Sequence, residues 1–381
     1  MITRLYIHIP FCQRKCRYCA FVSKKGSASE IDAFVDLLMA EMRQACRKSA
    51  PLHTLDSIYL GGGTPSLLQP TQVGRILDLA DQLFGLSEGA EITLETNPGT
   101  VDQSKLAGFR VAGINRLSMG VQSFDDRMLS TLGRIHTTGQ ATDCITAARR
   151  AGFNNIGIDL IHSLPGQTLE MWHQDLRQAL ELGTEHLSIY GLTIEDNTDF
   201  AERYADHDSL VDEDLSADMF ETADSVLTST GYEHYEIANY ARPGFRSRHN
   251  SGYWKRDGYL GLGPGAHSFL RCSDYGIRFG NTPDLDEYAT SISGGELPRR
   301  DRIELTREDA LAEFMFLGLR MADGVRSSDL EREFGVSLWK QYDKTLDELV
   351  GQGLLTADNE GVRLTKRGML LSNQVFGRFL E

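Results

Sequence analysis

Leu5-Tyr-Ile-His-Ile-Pro-Phe-Cys12-Gln-Arg-Lys-Cys16-Arg-Tyr-Cys19-Ala-Phe21 carries a short apolar strand straight into three cysteines spaced Cys-x3-Cys-x2-Cys. Thiolates at Cys12, Cys16 and Cys19 can reach one metal centre from a single tight loop. Three protein ligands are one short of the four that close a cubane iron–sulfur cluster, which leaves one iron open. Structural zinc is a competing reading, but it wants four ligands and the only nearby fourth candidate is His8. Unliganded buried thiols are another, but they leave three cysteines within eight residues, flanked by Arg14, Lys15 and Arg17, unexplained; those cations favour thiolates. An open iron can chelate the amino and carboxylate groups of an amino-acid derivative, and Tyr18 stands between the last two cysteines where it can pack on that molecule's adenine.

The chain beyond the loop sets the fold. Strand-like runs near 4–9, 56–61, 91–96, 115–120, 156–161 and 186–192 alternate with helical patterns near 29–47, 70–84, 102–112, 138–151 and 168–182. Repeated β/α alternation requires a parallel sheet, and a repeat of about 30 residues suits a barrel or partial barrel with its helices outside. The polar and glycine-rich positions fall just after the strands: Cys12 to Cys19, then Gly61-Gly62-Gly63-Thr64-Pro65, then Glu95 and Asn97, then Gln122. In a parallel barrel those tips converge on one rim, where active sites are built.

The expected fold is α/β, a partial (β/α)6-type TIM-like barrel over residues 1–240 with a small C-terminal winged-helix-like, mainly helical domain over 301–381. An aromatic and glycine-rich extension over 241–300 lies between them and contains His249-Asn-Ser-Gly-Tyr253-Trp254 and Gly261-Leu-Gly-Pro-Gly-Ala-His-Ser268; its glycines suggest close backbone approach. The acidic stretch 195–215, with Glu195, Asp196, Asp199, Asp206, Asp208, Asp212 and Asp214, reads as a solvated connection leading into another helix. Helices near 307–321, 326–334 and 337–352, a two-stranded wing at 354–356 and 362–364, and a final helix from 366 complete the chain. Winged helices often bind DNA, but this acidic setting favours packing or protein contact.

Composition narrows the function. A chain of 381 residues with 41% hydrophobic and 24% charged side chains supports one large domain and a smaller one. Its net charge of −15 opposes binding to phosphate backbones and anionic membranes, so nucleic acid is not an expected partner. No stretch approaches roughly 18 uninterrupted apolar residues and no leader pattern opens the chain, which reads as cytoplasmic and not inserted in a membrane. Cys46, Cys144 and Cys272 are scattered and read as ordinary buried thiols.

With these residues in hand, Cys12-x3-Cys16-x2-Cys19 with an aromatic before its last cysteine resembles the radical S-adenosylmethionine (SAM) superfamily. Tyr6-Ile-His-Ile-Pro-Phe-Cys12 looks like the branch that contains oxygen-independent coproporphyrinogen III oxidase. The resemblance continues through Gly61–Pro65, Glu95-Thr-Asn-Pro98, Ser118-Met-Gly-Val-Gln122-Ser-Phe124, Leu132-Gly-Arg134 and Asp159-Leu-Ile-His-Ser-Leu-Pro165-Gly-Gln167, and so spans almost the whole chain. It implies a [4Fe-4S] cluster on the three cysteines, cleavage of SAM to a 5′-deoxyadenosyl radical, and an incomplete barrel with a lateral opening. It also implies that Tyr6, Gly62 and Glu95 contact the cluster-bound SAM. Gly63, Thr64, Gln122, Arg134 and Asp159 correspond to a second SAM site found in the oxidase branch.

Two departures divide the branches. The oxidase pattern continues Cys-x-Cys where this chain has Phe21, and His249-Asn-x-x-Tyr253-Trp254 resembles the HNxxYW signature of the haem chaperones. Imidazole is a common axial haem ligand, and Tyr and Trp offer flat faces with a polar handle; His249, Tyr253 and Trp254 are therefore the expected haem residues, with His8 and His267 as rival ligands. This resemblance implies haem as cargo, apo-cytochromes or respiratory haem proteins as acceptors, peripheral contact with their membrane complexes, and a flavodoxin- or ferredoxin-type reductant. Oxidative decarboxylation of coproporphyrinogen III, or another radical SAM reaction on a tetrapyrrole, is the alternative, and no residue is assigned as catalytic.

Overall fold

The computed structural model describes residues 2–48, 54–205, 212–271 and 275–380. Cys272, expected to be a buried thiol, and Asp206 and Asp208 of the acidic stretch lie outside these residues.

The first half is six strand–helix units. The strands are β1 (Arg4–Ile9), β2 (Leu55–Gly62), β3 (Leu86–Thr96), β4 (Arg116–Gln122), β5 (Ile156–His162) and β6 (His186–Gly191). The helices are α1 (Ala28–Lys48), α2 (Pro70–Phe84), α3 (Gln103–Val111), α4 (Asp126–Leu132), α5 (Thr138–Arg150) and α6 (Leu169–Glu181). Only α4, one short helix between β4 and α5, has no counterpart in the sequence pattern.

β1 to β6 pair in parallel in chain order, and the register sorts their side chains by chemistry. Ile7, Leu60, Leu94, Leu117 and Ile156 form one aligned, fully buried row against the helices. Because side chains alternate faces along a strand, the next row, Tyr6, Tyr59, Thr93 and Arg116, points to the concave side. A polar concave face departs from the aliphatic filling of closed barrels.

The sheet is open, since β1 and β6 never meet. On the β6 side, beyond α7 (Asp199–Arg203) and α8 (Glu213–Ser229), the hairpin β7 (Glu233–Glu236) and β8 (Asn239–Ala241) adds antiparallel strands. On the β1 side, α9 (Arg248–Trp254) precedes β9 (Tyr259–Leu262), which pairs parallel with β1. Next come β10 (His267–Leu270), β11 (Ile277–Asn281), α10 (Leu285–Ser293) and β12 (Arg299–Glu304), giving a sheet of 12 strands. The glycine-rich stretch is thus largely sheet, and Gly261 has the role expected of it: a Cβ there would stand 2.1 Å from the His267 carbonyl oxygen. Strands β8 and β12 run across positions 240 and 300, so hydrogen bonding is continuous over both divisions. In the acidic stretch Asp212 caps α8, accepting from the Asp214 N–H, and Asp199 lies in the first turn of α7, which Thr198 caps.

The C-terminal unit has its own core around Leu319, Leu330, Leu338 and Val375. It comprises α11 (Arg307–Gly318), β13 (Val325–Arg326), α12 (Ser327–Phe334), α13 (Leu338–Gly351), β14 (Leu355–Ala357), β15 (Gly361–Leu364), α14 (Lys366–Leu370) and α15 (Ser372–Gly377). The wing has three strands, not two, in the order β13-β15-β14; β13 is too short to leave an alternating pattern. The final helix is likewise two short ones. The unit is bolted to the extension by Arg256, which is buried and pairs with Glu313 and Glu333 at 3.2 and 2.8 Å.

Candidate functional site: a cysteine loop beside an aromatic cavity

The loop after β1 is pinned at both ends by backbone: Cys12 N–H donates to Lys24 O at 2.9 Å and Arg17 N–H to Leu132 O at 3.1 Å. Cys12, Cys16 and Cys19 are all free and half-buried. Side chains from the rim aim donors at two of their sulfurs. Thr64 Oγ1 lies 3.5 Å from Cys12 Sγ and Arg134 Nη1 lies 3.4 Å from Cys16 Sγ. Asn97 joins the two, donating to Thr64 Oγ1 at 2.9 Å and accepting from Arg134 Nη2 at 2.7 Å. Donors of this kind stabilise thiolates. Burial foremost, with the neighbouring Cys16 and Cys12 behind it, pushes the Cys19 thiol up against a lowering backbone hydrogen bond at Phe21. Metal binding takes cysteine as thiolate, so iron in this loop would displace the Cys19 proton that burial favours. Among the described residues no three His, Cys, Asp or Glu side chains gather closely enough for a single ion.

The residues expected around SAM separate into layers. Glu95 is held by Tyr59 Oη at 2.9 Å and Gly62 N–H at 3.1 Å. Burial first, and Asp159 among lesser causes, raise its carboxyl to about 7. Gly62 has φ 108, and a Cβ there would stand 2.6 Å from the His8 ring, so no other residue fits this turn without strain. Gly63 N–H donates to Ile9 O at 2.9 Å. Gln122 has a left-handed φ of 72 at a bulge in the β4–β5 pairing, a strained backbone of the kind found at functional sites. Gly120 lacks the side chain that would collide with Asn97 Oδ1 and Gln122 Nε2, both 2.9 Å from its ideal Cβ position. Asp159 lies level with Gly120 inside the sheet, accepting from Ser118 Oγ at 3.3 Å, and burial raises its pKa. Tyr18 packs against Phe200 with ring centroids 6.5 Å apart, in a cluster with Met128 and Leu132.

Tyr6 is paired with His8: its Oη is 3.1 Å from Nδ1, and His8 Nε2 is 2.8 Å from Val22 O. The carbonyl can only accept, so Nε2 carries the proton and Nδ1 accepts from Tyr6. His249 is more deeply committed. It is 1% exposed, its Nδ1 lies 2.8 Å from Ser57 Oγ and its Nε2 2.8 Å from Tyr253 Oη. Burial, with Arg4 and Arg116, lowers its pKa to about 3, so the ring is neutral. The helix that carries it is capped by Ser247 and by Glu91, whose carboxylate accepts from the N–H groups of Arg248 and His249 at 3.0 and 2.9 Å. In this arrangement both ring nitrogens of His249, an expected haem residue, are taken up by Ser57 and Tyr253.

Its neighbours do reach a cavity of about 580 Å³. Phe21 and Val22 of the cysteine loop and Tyr253 and Trp254 of α9 form two of its walls. Tyr259, His267 and Arg278 from consecutive strands form another, and Tyr6 and His8 lie at its base. Phe21, where the oxidase pattern has a further cysteine, is 64% exposed and faces this space. Arg278 is paired with Glu313 at 2.5 Å, and Arg320 stacks on Trp254 at 4.2 Å. The sequence placed Asn97 on the rim without a partner and gave no role to Tyr59 or Glu91. Tyr59 shares a strand face with Gly61, a signal that could have found it; Glu91 left none.

Comparisons with known proteins agree with these features. Residues 6–179 match the family described as Radical SAM superfamily and residues 305–371 the HemN C-terminal domain. The Heme chaperone HemW of Lactococcus lactis is 38% identical over 98% of this chain and 96% of its own, and that of Bacillus subtilis 36% identical over 98% of both. The solved coproporphyrinogen III oxidase (HemN) from Escherichia coli, a radical SAM enzyme, superposes with a TM-score of 0.84 at 26% identity, covering 98% of this chain and 89% of that one. With full-length identity of this order and the signature segment in place beside the cysteine loop, the chain belongs to the HemW family within the radical SAM superfamily.

Proposed function

We propose that this protein is a haem chaperone that holds a [4Fe-4S] cluster and SAM, binds haem, and passes it to haem-dependent proteins. The observation that carries the reading is the aromatic cavity built jointly by the cysteine loop and the HNxxYW helix, because it offers a planar tetrapyrrole flat faces next to the cofactor loop. Cluster and SAM are the cofactors of the superfamily, and the cluster, when bound, would supply electron-transfer chemistry to SAM. Cys12, Cys16 and Cys19 would hold it, the Arg134 cation would balance thiolate charge while Thr64 donates a hydrogen bond, both from the rim expected to carry a second SAM, and Glu95 would accept from the SAM ammonium. Gly63, Gln122 and Asp159 would line a further SAM position, and Tyr18 would border the adenine. Apo-cytochromes or other respiratory haem proteins would be the acceptors, with a flavodoxin- or ferredoxin-type protein as reductant. Among the described residues no helix is long and apolar enough to cross a membrane, so contact with a membrane complex would be peripheral. The domain divisions proposed are 1–240, 241–300 and 301–381.

The similarity to the oxidase supports a second reading, oxidative decarboxylation of coproporphyrinogen III, and Phe21 in place of a cysteine stands against it. One experiment separates the two. Anaerobically purified protein is titrated with haem and mixed with an apo-cytochrome, and in parallel is given coproporphyrinogen III, SAM and a reductant. Haem uptake and transfer without protoporphyrinogen supports the chaperone. Protoporphyrinogen with no haem uptake replaces it with the oxidase.

A further inference from the structure

Three imidazoles surround the aromatic cavity, and their hydrogen bonds distinguish them. His8 uses Nδ1 for Tyr6 and Nε2 for Val22 O. His249 uses both nitrogens for Ser57 and Tyr253 and lies behind Tyr253, not on the cavity wall. His267 is exposed, lines the cavity, and neither ring nitrogen has a hydrogen-bond partner among the described residues. Its ring lies over its cross-strand neighbour Gly280, where an added Cβ would come 3.2 Å from Cε1. The glycine thus makes the space in which the imidazole rests. Behind it, Gly261 admits the His267 carbonyl at a distance that any side chain would prevent. A ligand histidine needs an accessible lone pair and a fixed backbone, and His267 has both.

We infer that His267 supplies the axial nitrogen to haem in this cavity, and that His249 is a positioning residue which holds the Tyr253 hydroxyl and, through it, one wall. The inference rests on the haem-chaperone reading of the same cavity. A neutral imidazole is a standard ligand for haem iron, and in the cavity one face of the macrocycle would meet His267 while Phe21, Tyr253 and Trp254 supply aromatic contact. The HNxxYW segment then acts through shape, and an altered His249 disturbs haem uptake without being bonded to iron.

Full-length protein is titrated with ferric haem and followed by absorption, electron paramagnetic resonance and resonance Raman spectra. The wild type is expected to bind with a histidine–iron signature. His267→Ala, an exposed substitution that leaves the buried core intact, is expected to lose that signature, to bind about tenfold or more weakly, and to regain the signature when free imidazole is added. His249→Gln is expected to bind more weakly and keep the signature. Retention of the signature in His267→Ala, or a loss there that imidazole does not restore, overturns the assignment of His267. Loss in His249→Gln overturns its positioning role. A wild type that takes up no haem overturns the chaperone reading itself, whereas one that binds without histidine ligation overturns only the inference.

Discussion

Arg134 Nη1 stands 3.4 Å from Cys16 Sγ while Nη2 of the same guanidinium donates to Asn97 Oδ1 at 2.7 Å and to Gly120 O at 2.5 Å. The cation is fixed by the tips of β3 and β4 and turned onto a loop that follows β1, so three strand ends share one charge. Its planar fork makes these bonds together, which an ammonium cannot do. Arg134→Lys keeps the charge and loses the geometry; Arg134→Met loses both. Each leaves Asn97 and the Gly120 carbonyl short of a donor, at a cost of about 1–3 kcal/mol. Iron content after anaerobic gel filtration is expected to fall in the order wild type, Lys, Met. Full iron retention in Arg134→Met would show that the guanidinium does nothing for the loop.

Glu95 gives SAM binding a pH dependence. Its carboxyl, raised to about 7 chiefly by burial, is protonated below that pH and then cannot take a charge-assisted bond from an ammonium. SAM affinity is expected to weaken as pH falls below 7, by up to about tenfold per unit, and to level off above it. Glu95→Gln should bind more weakly at pH 8 and show a flat profile. Equilibrium dialysis with labelled SAM from pH 5.5 to 8.5 checks both; an equally steep profile in Glu95→Gln assigns the titration elsewhere.

A second buried carboxyl ties stability to pH. Glu41 on α1 accepts from Tyr288 Oη at 2.7 Å, Gly263 N–H at 2.8 Å and Asn281 Nδ2 at 2.6 Å, clamping the added strands to the first helix. Burial, only partly offset by those bonds, raises its pKa from 4.5 to about 7. Between those values the folded chain keeps a proton that the unfolded chain has lost, so stability is fully present below pH 4.5, falls as pH rises through the window and levels above 7. The contribution is of order 3 kcal/mol. Glu41→Gln should be less stable overall, because its amide nitrogen faces a donor, yet lose this slope. Urea midpoints at pH 5, 6, 7 and 8 compare the two; an unchanged slope would refute the Glu41 assignment.

How far the sequence foretold this depends on the distance over which each signal acts. The six parallel strands were legible because each is a short run with an aliphatic row turned to the helices, and the helices between them show an amphipathic period. The extension was not, because β9 is Tyr-Leu-Gly-Leu and its strandness comes from pairing with β1, a partner hundreds of positions away. Cys12, Cys16 and Cys19 were legible because their spacing is local. The bond from Arg134 spans 118 positions to Cys16, and no spacing rule reaches that far. The surroundings of His249 were hidden for the same reason. Imidazole chemistry suggests a ligand, but only the folded chain brings Ser57 and Tyr253 to its two nitrogens.

Phe21 separates binding from folding by its exposure. A ring that is 64% exposed contributes little to the core, so Phe21→Ala is expected to change unfolding free energy by no more than about 0.5 kcal/mol. The same ring lines the cavity together with Tyr253 and Trp254, and losing an aromatic contact with a bound macrocycle costs about 0.5–1.5 kcal/mol, up to a roughly tenfold weaker haem affinity. Gly62→Ala makes the converse control. Its φ of 108 and the His8 ring 2.6 Å from a Cβ should destabilise the fold itself by more than about 1 kcal/mol. Thermal melts and haem titrations of the two variants should therefore move independently. If Phe21→Ala instead lowers stability and leaves haem affinity unchanged, the cysteine loop is no wall of the haem site, and the cavity must be assigned to another ligand.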